Sequence, residues 1–432
     1  MSVLSALKKL ISHRHPLRLK WHRAKAWLAA WKYGYPAKKL SVIGITGTDG
    51  KTTTVAMVAH ILEHAGIRCG ALSTAFVKVD GTMEWNATQK TSPSPFIIQS
   101  FLKRLQESGC THAVLEVSSH GLVQGRLNYT WPRIAGITNT TPEHLDYHGT
   151  MEQYRRDKGL LFRLLDGTGA KILNRDDDSY VPYLSIPTAS TVTYSRSTQA
   201  DLWLTDEQVN AQSVHASLHI AGESATVDLE LMIPGDFNLE NALCAIGCAR
   251  AAGVDLHACL AALKTFPGVA GRFESIDEGQ PFAVYVDFTV TPAAYEKTLT
   301  TLRQMIVPGK RILVLTGSCG DRMREKRPKV GRICSTLADV VVVTNEDPYT
   351  EDPERIIEEV WAGVDRSKCD AYKIFDRREA MRFLLRKAQA GDAVIFCAKG
   401  SDTTMWTEKG QIPWNEREIT RELLRTMKAG MH

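Results

Sequence analysis

The sequence predicts an α/β protein built from two strand-and-helix series, a P-loop series first and a Rossmann-like series after it. Short apolar strands alternate with amphipathic helices from Ser41 onward, and this alternation resumes after about residue 270. Between the first strand and the first helix lies a glycine-rich loop that ends in Gly-Lys-Thr. We therefore expect a mostly parallel sheet around this loop, with an antiparallel patch where the hydrophobic period falls to two.

The spacing of apolar residues predicts the individual elements. In the first series we expect a helix over 52–65 and strands over 41–46, 112–118 and 133–139. Alternation in segments such as "SVHASLHIAG" predicts the antiparallel patch between about 170 and 233, and a helix follows "PGDFNLENA". In the second series the predicted strands cover 283–288, 311–316, 340–344 and 393–397. The expected domains are a basic, tryptophan-rich helical segment at 1–40, a central domain at 41–270 and a C-terminal domain at 271–432.

Positive charge is concentrated at the N-terminus. The 432 residues have a formal net charge of +5, whereas residues 1–40 contain ten Lys or Arg and no Asp or Glu. Within this segment several apolar residues recur at helical spacing, namely Leu17, Trp21, Ala24, Leu28 and Trp31. Two interpretations stay open: peripheral contact with an anionic membrane through residues 1–35, or a helix packed on the protein's own surface.

Other features predict a cytoplasmic protein. No apolar stretch reaches the roughly 18 residues that a membrane-spanning helix needs, and no signal-peptide pattern is present. The nine cysteines include no Cys-x-x-Cys pair, which favours a reducing compartment. We expect small-molecule substrates and no nucleic-acid partner, and the oligomeric state stays open.

The segment "VIGITGTDGKTTT" is the most specific local motif. Its glycines let the backbone approach a phosphate, and the amides at the helix start bind anions. Lys51 would neutralise phosphate charge and the Thr52 hydroxyl would reach Mg²⁺. Ile45 occupies the first glycine position of the usual spacing, so this is the shorter G-x-x-G-K-T loop. The alternative is a glycine turn that merely ends a strand. The predicted phosphate-site residues are Gly47, Thr48, Asp49, Gly50, Lys51, Thr52 and Thr53.

Two polar residues follow neighbouring predicted strands. Glu116 ends one apolar strand and His144 follows another, so both would lie at the carboxyl edge of a parallel sheet, beside the phosphate loop. Mg²⁺ prefers oxygen ligands, which suits Glu116 and Thr52 better than His144. On chemistry alone, a single histidine is more often a packing residue than a ligand.

Five segments together resemble the Mur ligases, in order and in approximate spacing. They are "GTDGKTTT", "EVSSHGLVQGR", "EHLDYHGTMEQYRRDK", "PGDFNLENA" and "CGDRMREKRP", and the resemblance covers about residues 41 to 425. The similarity is greatest to members that add the third peptide residue of the peptidoglycan precursor. It implies an ATP- and Mg²⁺-dependent amide ligase that activates a muramyl-peptide carboxylate as an acyl phosphate and joins it to an amino acid.

The resemblance also implies roles for single residues. Catalysis would depend on Lys51, Glu116, His144 and a carbamylated Lys158. Thr52 and Glu116 would hold one Mg²⁺, and His144 would bind a second Mg²⁺ beside Lys158. ATP would contact the phosphate loop, Asn241, Arg272 and Asp287. The donor would contact Thr91, Ser92, Ser118, Gln124 and Arg126. The acceptor would contact Arg322, which grips its α-carboxylate, together with Asp347, Tyr349 and Asp402.

The chain departs from the family pattern at three places. Only about forty residues precede the phosphate loop, where the family has a whole UDP-binding domain, so the donor could bear UDP, a lipid or neither. Members that add meso-diaminopimelate have D-N-P-R, whereas this chain has E-D-P-Y at 346–349. Loss of that arginine disfavours a second acidic end, and Glu346, Asp347 and Asp402 would suit a cation such as lysine. They could also be ordinary solvated loop charges.

The third departure concerns nucleotide handling, where Val290, Ala293 and Ala398 replace residues typical of the family. This change raises the possibility of slow catalysis. One alternative is a Mur-ligase-like amidotransferase subunit, although those proteins have a four-cysteine zinc ribbon for which this chain has no cysteine pairs. A second alternative is a catalytically weak nucleotide-binding scaffold at a membrane surface. The joint presence of Lys51, Glu116, His144, Lys158 and Arg322 favours the ligase.

Overall fold

A computed structural model describes residues 14–429 of the chain. The part of the predicted membrane contact that falls on residues 1–13 lies outside the described residues. The chain forms two compact units, each assembled from separate stretches. One contains the residues up to Glu207, His215–Glu230 and Leu239–Phe266, and the other contains Gln208–Val214, Leu231–Asn238 and the residues from Pro267 onward.

The larger sheet has eleven strands in the order β11-β10-β9-β8-β7-β6-β1-β5-β2-β3-β4. Its strands are β1 Ser41–Thr46, β2 Cys69–Leu72, β3 Phe76–Val79, β4 Thr82–Trp85, β5 His112–Glu116, β6 Ile134–Ile137, β7 Ala170–Asn174, β8 Ser190–Ser195, β9 Leu202–Val209, β10 Val214–Ile220 and β11 Val227–Leu231. The predicted fold class is confirmed, and so are the strands expected at 41–46, 112–118 and 133–139.

Helices and a short 3₁₀ helix at Pro36–Lys39 accompany this sheet. The helices are α1 Pro16–Lys32, α2 Lys51–His64, α3 Pro95–Glu107, α4 Ser119–Val123, α5 Leu145–His148, α6 Met151–Lys158, α7 Leu160–Arg163, α8 Tyr180–Leu184, α9 Phe237–Ala251 and α10 Leu256–Lys264. The helix expected at 52–65 is α2, which begins one residue earlier. Because helices cover the central parallel strands, five of the six residues of β1 are buried, and its centre at 42–45 has no polar side chain.

The antiparallel part of the sheet differs in extent from the prediction. Strands β7 and β8 pair in parallel with their neighbours, so the patch on that side is confined to β9, β10 and β11, which short loops join. A second antiparallel patch, β2-β3-β4, forms the opposite edge and was not predicted. Strand β8 is only partly buried, and in such a strand an alternating pattern also suits a parallel neighbour.

Helix α1 begins where the sequence provides start signals. The His15 side chain accepts a hydrogen bond from the backbone N–H of Leu17, and Pro16 occupies the first helical position. The helix packs against α3, and three of its alanines, Ala26, Ala29 and Ala30, are fully buried. Among the described residues, no helix is long and apolar enough to span a membrane.

The second unit contains a six-stranded sheet in the order β12-β13-β17-β14-β15-β16, in which β12 alone is antiparallel to its neighbour. Its strands are β12 Glu274–Ser275, β13 Ala283–Val286, β14 Ile312–Thr316, β15 Val340–Val343, β16 Asp370–Lys373 and β17 Ala393–Phe396, and a hairpin adds β18 Thr404–Thr407 and β19 Gly410–Pro413. Its helices are α11 Pro292–Met305, α12 Lys326–Leu337, α13 Pro353–Trp361, α14 Arg377–Lys387 and α15 Glu416–Ala429. The four strands expected in this half are therefore confirmed as β13, β14, β15 and β17.

Candidate functional site

The carboxyl ends of three central strands meet at one edge of the larger sheet. Strand β1 pairs in parallel with β5 on one side and β6 on the other. The loops that follow Thr46, Glu116 and Ile137 therefore converge at a point where the strand order reverses. Ligands of open α/β sheets bind at such switch points.

The phosphate loop has the backbone geometry that its glycines permit. Gly47 and Gly50 have φ of +146° and +82°, and α2 begins directly after them at Lys51. A side chain at Gly50 would collide with Asn241, whose Oδ1 lies 2.1 Å from the ideal Cβ position. Asn241 thus lies against the start of the helix, next to the site where phosphate would bind.

Hydrogen bonds fix the loop's side chains. Thr48 Oγ1 lies 3.1 Å from the Tyr154 hydroxyl, and the Asp49 amide donates to Asn139 Oδ1 at 3.0 Å. The Lys51 ammonium donates to the Thr48 carbonyl at 2.7 Å, so it folds back over the loop. Thr53 is buried in the first turn of α2. Contacts within the loop and with Asn139 and Tyr154 therefore fix its shape.

Glu116 is a buried carboxylate surrounded by hydroxyl and amide donors. Its Oε2 accepts from the Thr52 hydroxyl at 3.0 Å and from the Thr74 amide at 2.6 Å, and its Oε1 accepts from the Thr74 hydroxyl at 3.0 Å. These donors are neutral, so they do not compensate the carboxylate's charge. A cation beside Thr52 and Glu116 would compensate it, and Mg²⁺ is commonly held by one or two carboxylates together with substrate phosphates. The residues present therefore fit Mg²⁺.

The expected donor-binding residues are brought together next to Glu116. The Thr74 hydroxyl oxygen also lies 2.9 Å from that of Thr91; because its own proton is donated to Glu116, it accepts a hydrogen bond from Thr91. The Ser118 amide donates to the Ser92 hydroxyl at 2.9 Å, which joins the segment after β5 to the one before α3.

Arg126 is the last of the expected donor-binding residues. Its guanidinium donates hydrogen bonds to neutral oxygens. It donates to the Ser92 carbonyl and, at 2.7 Å, to Gln124 Oε1. Burial lowers the pKa of the guanidinium below its ordinary value. A buried cation held by neutral acceptors is a suitable partner for an anionic ligand.

Lys158 is fully buried at the end of α6, against the phosphate loop. Its ammonium donates to the Gly47 carbonyl and lies 4.5 Å from the centre of the Tyr154 ring. Burial lowers the pKa of Lys158 well below its ordinary value, and the positive charge of Lys51 lowers it further. The amine is therefore predisposed to lose its proton.

His144 lies among other imidazoles. Its ring centre is 4.7 Å from that of His120, and its Nδ1 is 3.9 Å from Glu143 Oε1. The residue has φ of +56°, at the N-terminal end of α5. Among residues 14–429, no three His, Cys, Asp or Glu side chains are already arranged around a common metal position.

A buried chain of hydrogen bonds lies next to His144 and Lys158 in the sequence and joins α4, α5 and α6. Ser119 Oγ lies 3.0 Å from His148 Nε2, and His148 Nδ1 lies 2.6 Å from Asp157 Oδ2. Asp157 also accepts two hydrogen bonds from the Arg14 guanidinium, at 2.7 and 2.9 Å. Asp157 directly precedes Lys158, so these hydrogen bonds fix the end of α6.

Arg272 and Asp287 are neighbours in the second unit. The Arg272 guanidinium lies 4.3 Å from the centre of the Phe288 ring, and its buried Nε has no hydrogen-bond partner among the described residues. Burial raises the pKa of the Asp287 carboxyl, although the Thr289 hydroxyl and Arg272 act in the opposite direction. The unsatisfied Nε is a donor available to a ligand.

The expected acceptor residues also lie in the second unit. The Arg322 guanidinium is 5.9 Å from the centre of the Tyr349 ring, which lies 5.5 Å from the ring of Trp406. Asp347 and Asp402 both pair with the buried Lys399, whose ammonium lies 2.9 Å from each carboxylate. These carboxylates are therefore not free solvated charges, and one cation already lies between them.

Two residues of the site, Thr74 and Lys399, are not predicted by the sequence pattern. Thr74 links Glu116 to Thr91, but it follows β2, a short strand of small residues that the pattern did not reveal. Lys399 lies in the "CAKGSD" segment, which drew attention only through its neighbours. A lysine between a buried strand and an aspartate three residues later was the available signal.

The chain is similar to known proteins over most of its length. Residues 45–249 match the family model of the Mur ligase middle domain, and residues 271–400 match that of the "Mur ligase, glutamate ligase domain". The UDP-N-acetylmuramyl-tripeptide synthetase of Roseiflexus sp. (strain RS-1) is 36% identical over 430 residues, with 94% of this chain and 83% of that protein covered.

Two further similar proteins are named as diaminopimelate ligases. A UDP-N-acetylmuramoyl-L-alanyl-D-glutamate–2,6-diaminopimelate ligase of Geobacillus kaustophilus (strain HTA426) is 37% identical, with 92% and 82% covered. A solved structure of such a diaminopimelate ligase is 29% identical, with a TM-score of 0.65 and coverage of 94% and 83%. By these matches over most of its length, the chain belongs to the Mur ligase family, whose members are ATP-dependent ligases.

Proposed function

We propose that this Mur ligase joins an amino acid to the carboxylate of a muramyl-peptide donor in peptidoglycan precursor synthesis, forming ADP and phosphate. The main support is the hydrogen-bonded path from the phosphate loop to the donor residues through Thr52, Glu116, Thr74 and Thr91. A donor held by Arg126 and its neighbours would present its carboxylate to the γ-phosphate of ATP bound at Lys51.

Each step has residues suited to it. The donor carboxylate attacks the γ-phosphorus in line, and Lys51 and the loop amides offset the charge that accumulates on the phosphate oxygens. One Mg²⁺ held by Thr52 and Glu116, and a second held by His144, would supply further positive charge to the phosphate oxygens. ADP leaves and an acyl phosphate forms. The acceptor amine then attacks the acyl carbon, phosphate leaves, the amine loses a proton and the amide is complete.

Lys158 is proposed to be carbamylated. The buried amine has a lowered pKa, so its neutral form can add to CO₂ and give a carbamate with release of one proton. This reaction would turn a cation beside Lys51 into a carboxylate. Lys158→Ala should then be nearly inactive and regain turnover with added short carboxylic acids. Supply of ¹³CO₂ should give a carbamate carbon resonance that Lys158→Ala lacks, and a parent enzyme without this resonance would contradict the proposal.

The acceptor is proposed to be lysine or a neutral amino acid. Arg322 would bind its α-carboxylate, and Tyr349 would lie along its side chain. Asp347, Asp402 and Lys399 together leave one net negative charge, which suits an ammonium and opposes a second carboxylate. The relatives named for diaminopimelate would differ from this chain at this point.

Nucleotide binding and location complete the proposal. Asn241, Arg272 and Asp287 would contact ATP together with the phosphate loop. The central domain at 41–270 would activate the donor and the C-terminal domain at 271–432 would bind the acceptor. We place the enzyme in the cytoplasm, with the donor's carrier being UDP, a lipid or neither.

A phosphate-release assay tests the function directly. Purified enzyme is given ATP, Mg²⁺ and a panel of amino acids, first with UDP-muramyl-dipeptide and then with the same donor lacking UDP. Lys51→Ala and His144→Ala should each abolish ADP formation and leave the circular dichroism spectrum unchanged. The exposed Lys39→Ala serves as a matched control that retains activity. Substantial turnover in both site variants would reject the mechanism.

A further inference from the structure

Helix α1 exposes its large apolar side chains and buries its small ones. Each helical residue advances by about 100°, so Leu17, Trp21, Ala24, Leu28 and Trp31 share an arc of about 80°. We call these five residues the apolar stripe. The buried residues Ala26, Ala29 and Ala30 lie on the opposite side of the helix. The small side chains thus face the protein, and the large apolar side chains face outward.

The apolar stripe is exposed in the folded chain. The exposed fractions of Leu17, Trp21 and Trp31 are 67%, 61% and 61%, and Leu28 is also exposed. Beside the stripe, Trp27 exposes 49% of its surface. A surface helix normally turns its apolar face toward the core, so this arrangement needs an external apolar partner.

Cations border the stripe on both sides. By the same angular count, Arg18, Lys25 and Lys32 lie along one flank and Lys20 lies along the other. The Lys25 ammonium is 5.1 Å from the centre of the Trp21 ring, so cation and aromatic are already adjacent. Beyond the helix, the Lys38 ammonium lies 5.5 Å from the ring of Trp131, which is itself partly exposed.

From this arrangement we propose that α1 docks the enzyme on an anionic lipid bilayer, lying flat in the interface with the apolar stripe in contact with lipid. Tryptophan favours the membrane–water interface because its ring is apolar and its N–H remains hydrated. Lysine and arginine beside the stripe would bind acidic headgroups. The helix of 17 residues is about 25 Å long, so it covers a bilayer surface without entering deeply.

The charge pattern favours a bilayer over a second copy of the chain. A symmetric dimer through the apolar stripe would bring the basic flanks of two α1 helices together, and residues 1–40 contain no acid that could compensate them. An anionic membrane offers both the apolar layer and the opposite charge. The inference is independent of the ligase reaction, because none of the residues of the stripe belongs to the proposed active site.

Vesicle binding tests the proposal. The full chain is mixed with sucrose-loaded vesicles of phosphatidylcholine that contain about 30% phosphatidylglycerol, and with vesicles of phosphatidylcholine alone. The parent should sediment with the anionic vesicles, with a blue shift of tryptophan emission, and added salt should weaken the binding. Trp21→Ser combined with Trp31→Ser should reduce the partition coefficient at least about tenfold. Phosphate release with a soluble donor should stay unchanged.

Two further variants make the result specific. Trp85→Ser removes an exposed tryptophan from β4 and should bind like the parent. Arg18→Glu with Lys25→Glu should abolish the preference for anionic vesicles while the apolar stripe is intact. The proposal is overturned if the parent does not bind, if the double tryptophan variant binds like the parent, or if neutral and anionic vesicles bind equally. A parent that dimerises through the stripe, or that binds only after removal of residues 1–13, would identify a different occupant.

Discussion

Replacing Glu346 by glutamine is expected to stabilise the folded chain near and above neutral pH. Burial, followed by the charge of Asp347, raises the pKa of the Glu346 carboxyl from an ordinary 4.5 to about 7, against the opposing effect of Lys399. The two values differ by about 2.5, which corresponds to about 3.5 kcal/mol at roughly 1.4 kcal/mol per pKa unit. Because the folded-state pKa is the higher one, the stabilising contribution is complete below about pH 4.5 and is lost as the pH rises to about 7.

The assay is the thermal or urea unfolding of the parent and Glu346→Gln between about pH 5 and pH 8. Glutamine keeps the shape of the side chain and does not ionise, so the variant's advantage should grow from about 1 kcal/mol at about pH 5 to about 3 kcal/mol at about pH 8. Glu351→Gln is the matched control, because hydrogen bonding to Arg327 lowers the pKa of Glu351 to about 2. That variant should be less stable by an amount independent of pH in this range. A pH-independent difference for Glu346→Gln would refute the reasoning.

Three further outcomes follow from the site geometry. Tyr349→Arg should raise kcat/KM for meso-diaminopimelate relative to lysine by about tenfold or more, because it restores a cation for a second carboxylate, and a parent that already prefers meso-diaminopimelate in competition assays would contradict this. Gly50→Ala should increase the KM for ATP at least about tenfold, because the Cβ of the new alanine would collide with Asn241 and residue 50 has a φ of +82°. Circular dichroism should show that the fold of this variant is intact. Asp157→Asn should lower the free energy of unfolding by about 2 kcal/mol, measured in urea, since it weakens the pairing with Arg14 and His148.

The central strands and the phosphate loop could be predicted because local and global signals agree there. Strand β1 has an apolar centre over 42–45, is followed by glycine-rich sequence and has five of its six residues buried. The hairpin of β3 and β4 gave no such signal, because β4 is four residues long and fully exposed. Without β2 and this hairpin, Thr74 could not be assigned to the carboxyl edge of the sheet.

The pairing of charged side chains that are distant in sequence could not be predicted from the sequence pattern. Asp347 and Asp402 read as charges available to a substrate, yet Lys399 lies between them and is buried by the surrounding loops. Helix α1 posed a similar difficulty. Its periodicity indicated an amphipathic helix, but only the structure reveals that the alanine side packs inward and the tryptophan side does not.

The chain passes more than once from one unit to the other, which limits where the protein can be cut into stable fragments. Residues 208–214 and 231–238 belong to the unit that otherwise starts at Pro267. Within that unit the Tyr285 hydroxyl donates to the Ala211 carbonyl at 3.3 Å, and the rings of Phe237 and Phe273 lie 5.4 Å apart. A fragment cut at residue 271 would lack these partners and expose the aromatic surface that they cover. Expression of the halves as separate polypeptides should therefore give an insoluble C-terminal fragment, whereas cleavage of the intact enzyme at the same bond would leave the pieces associated.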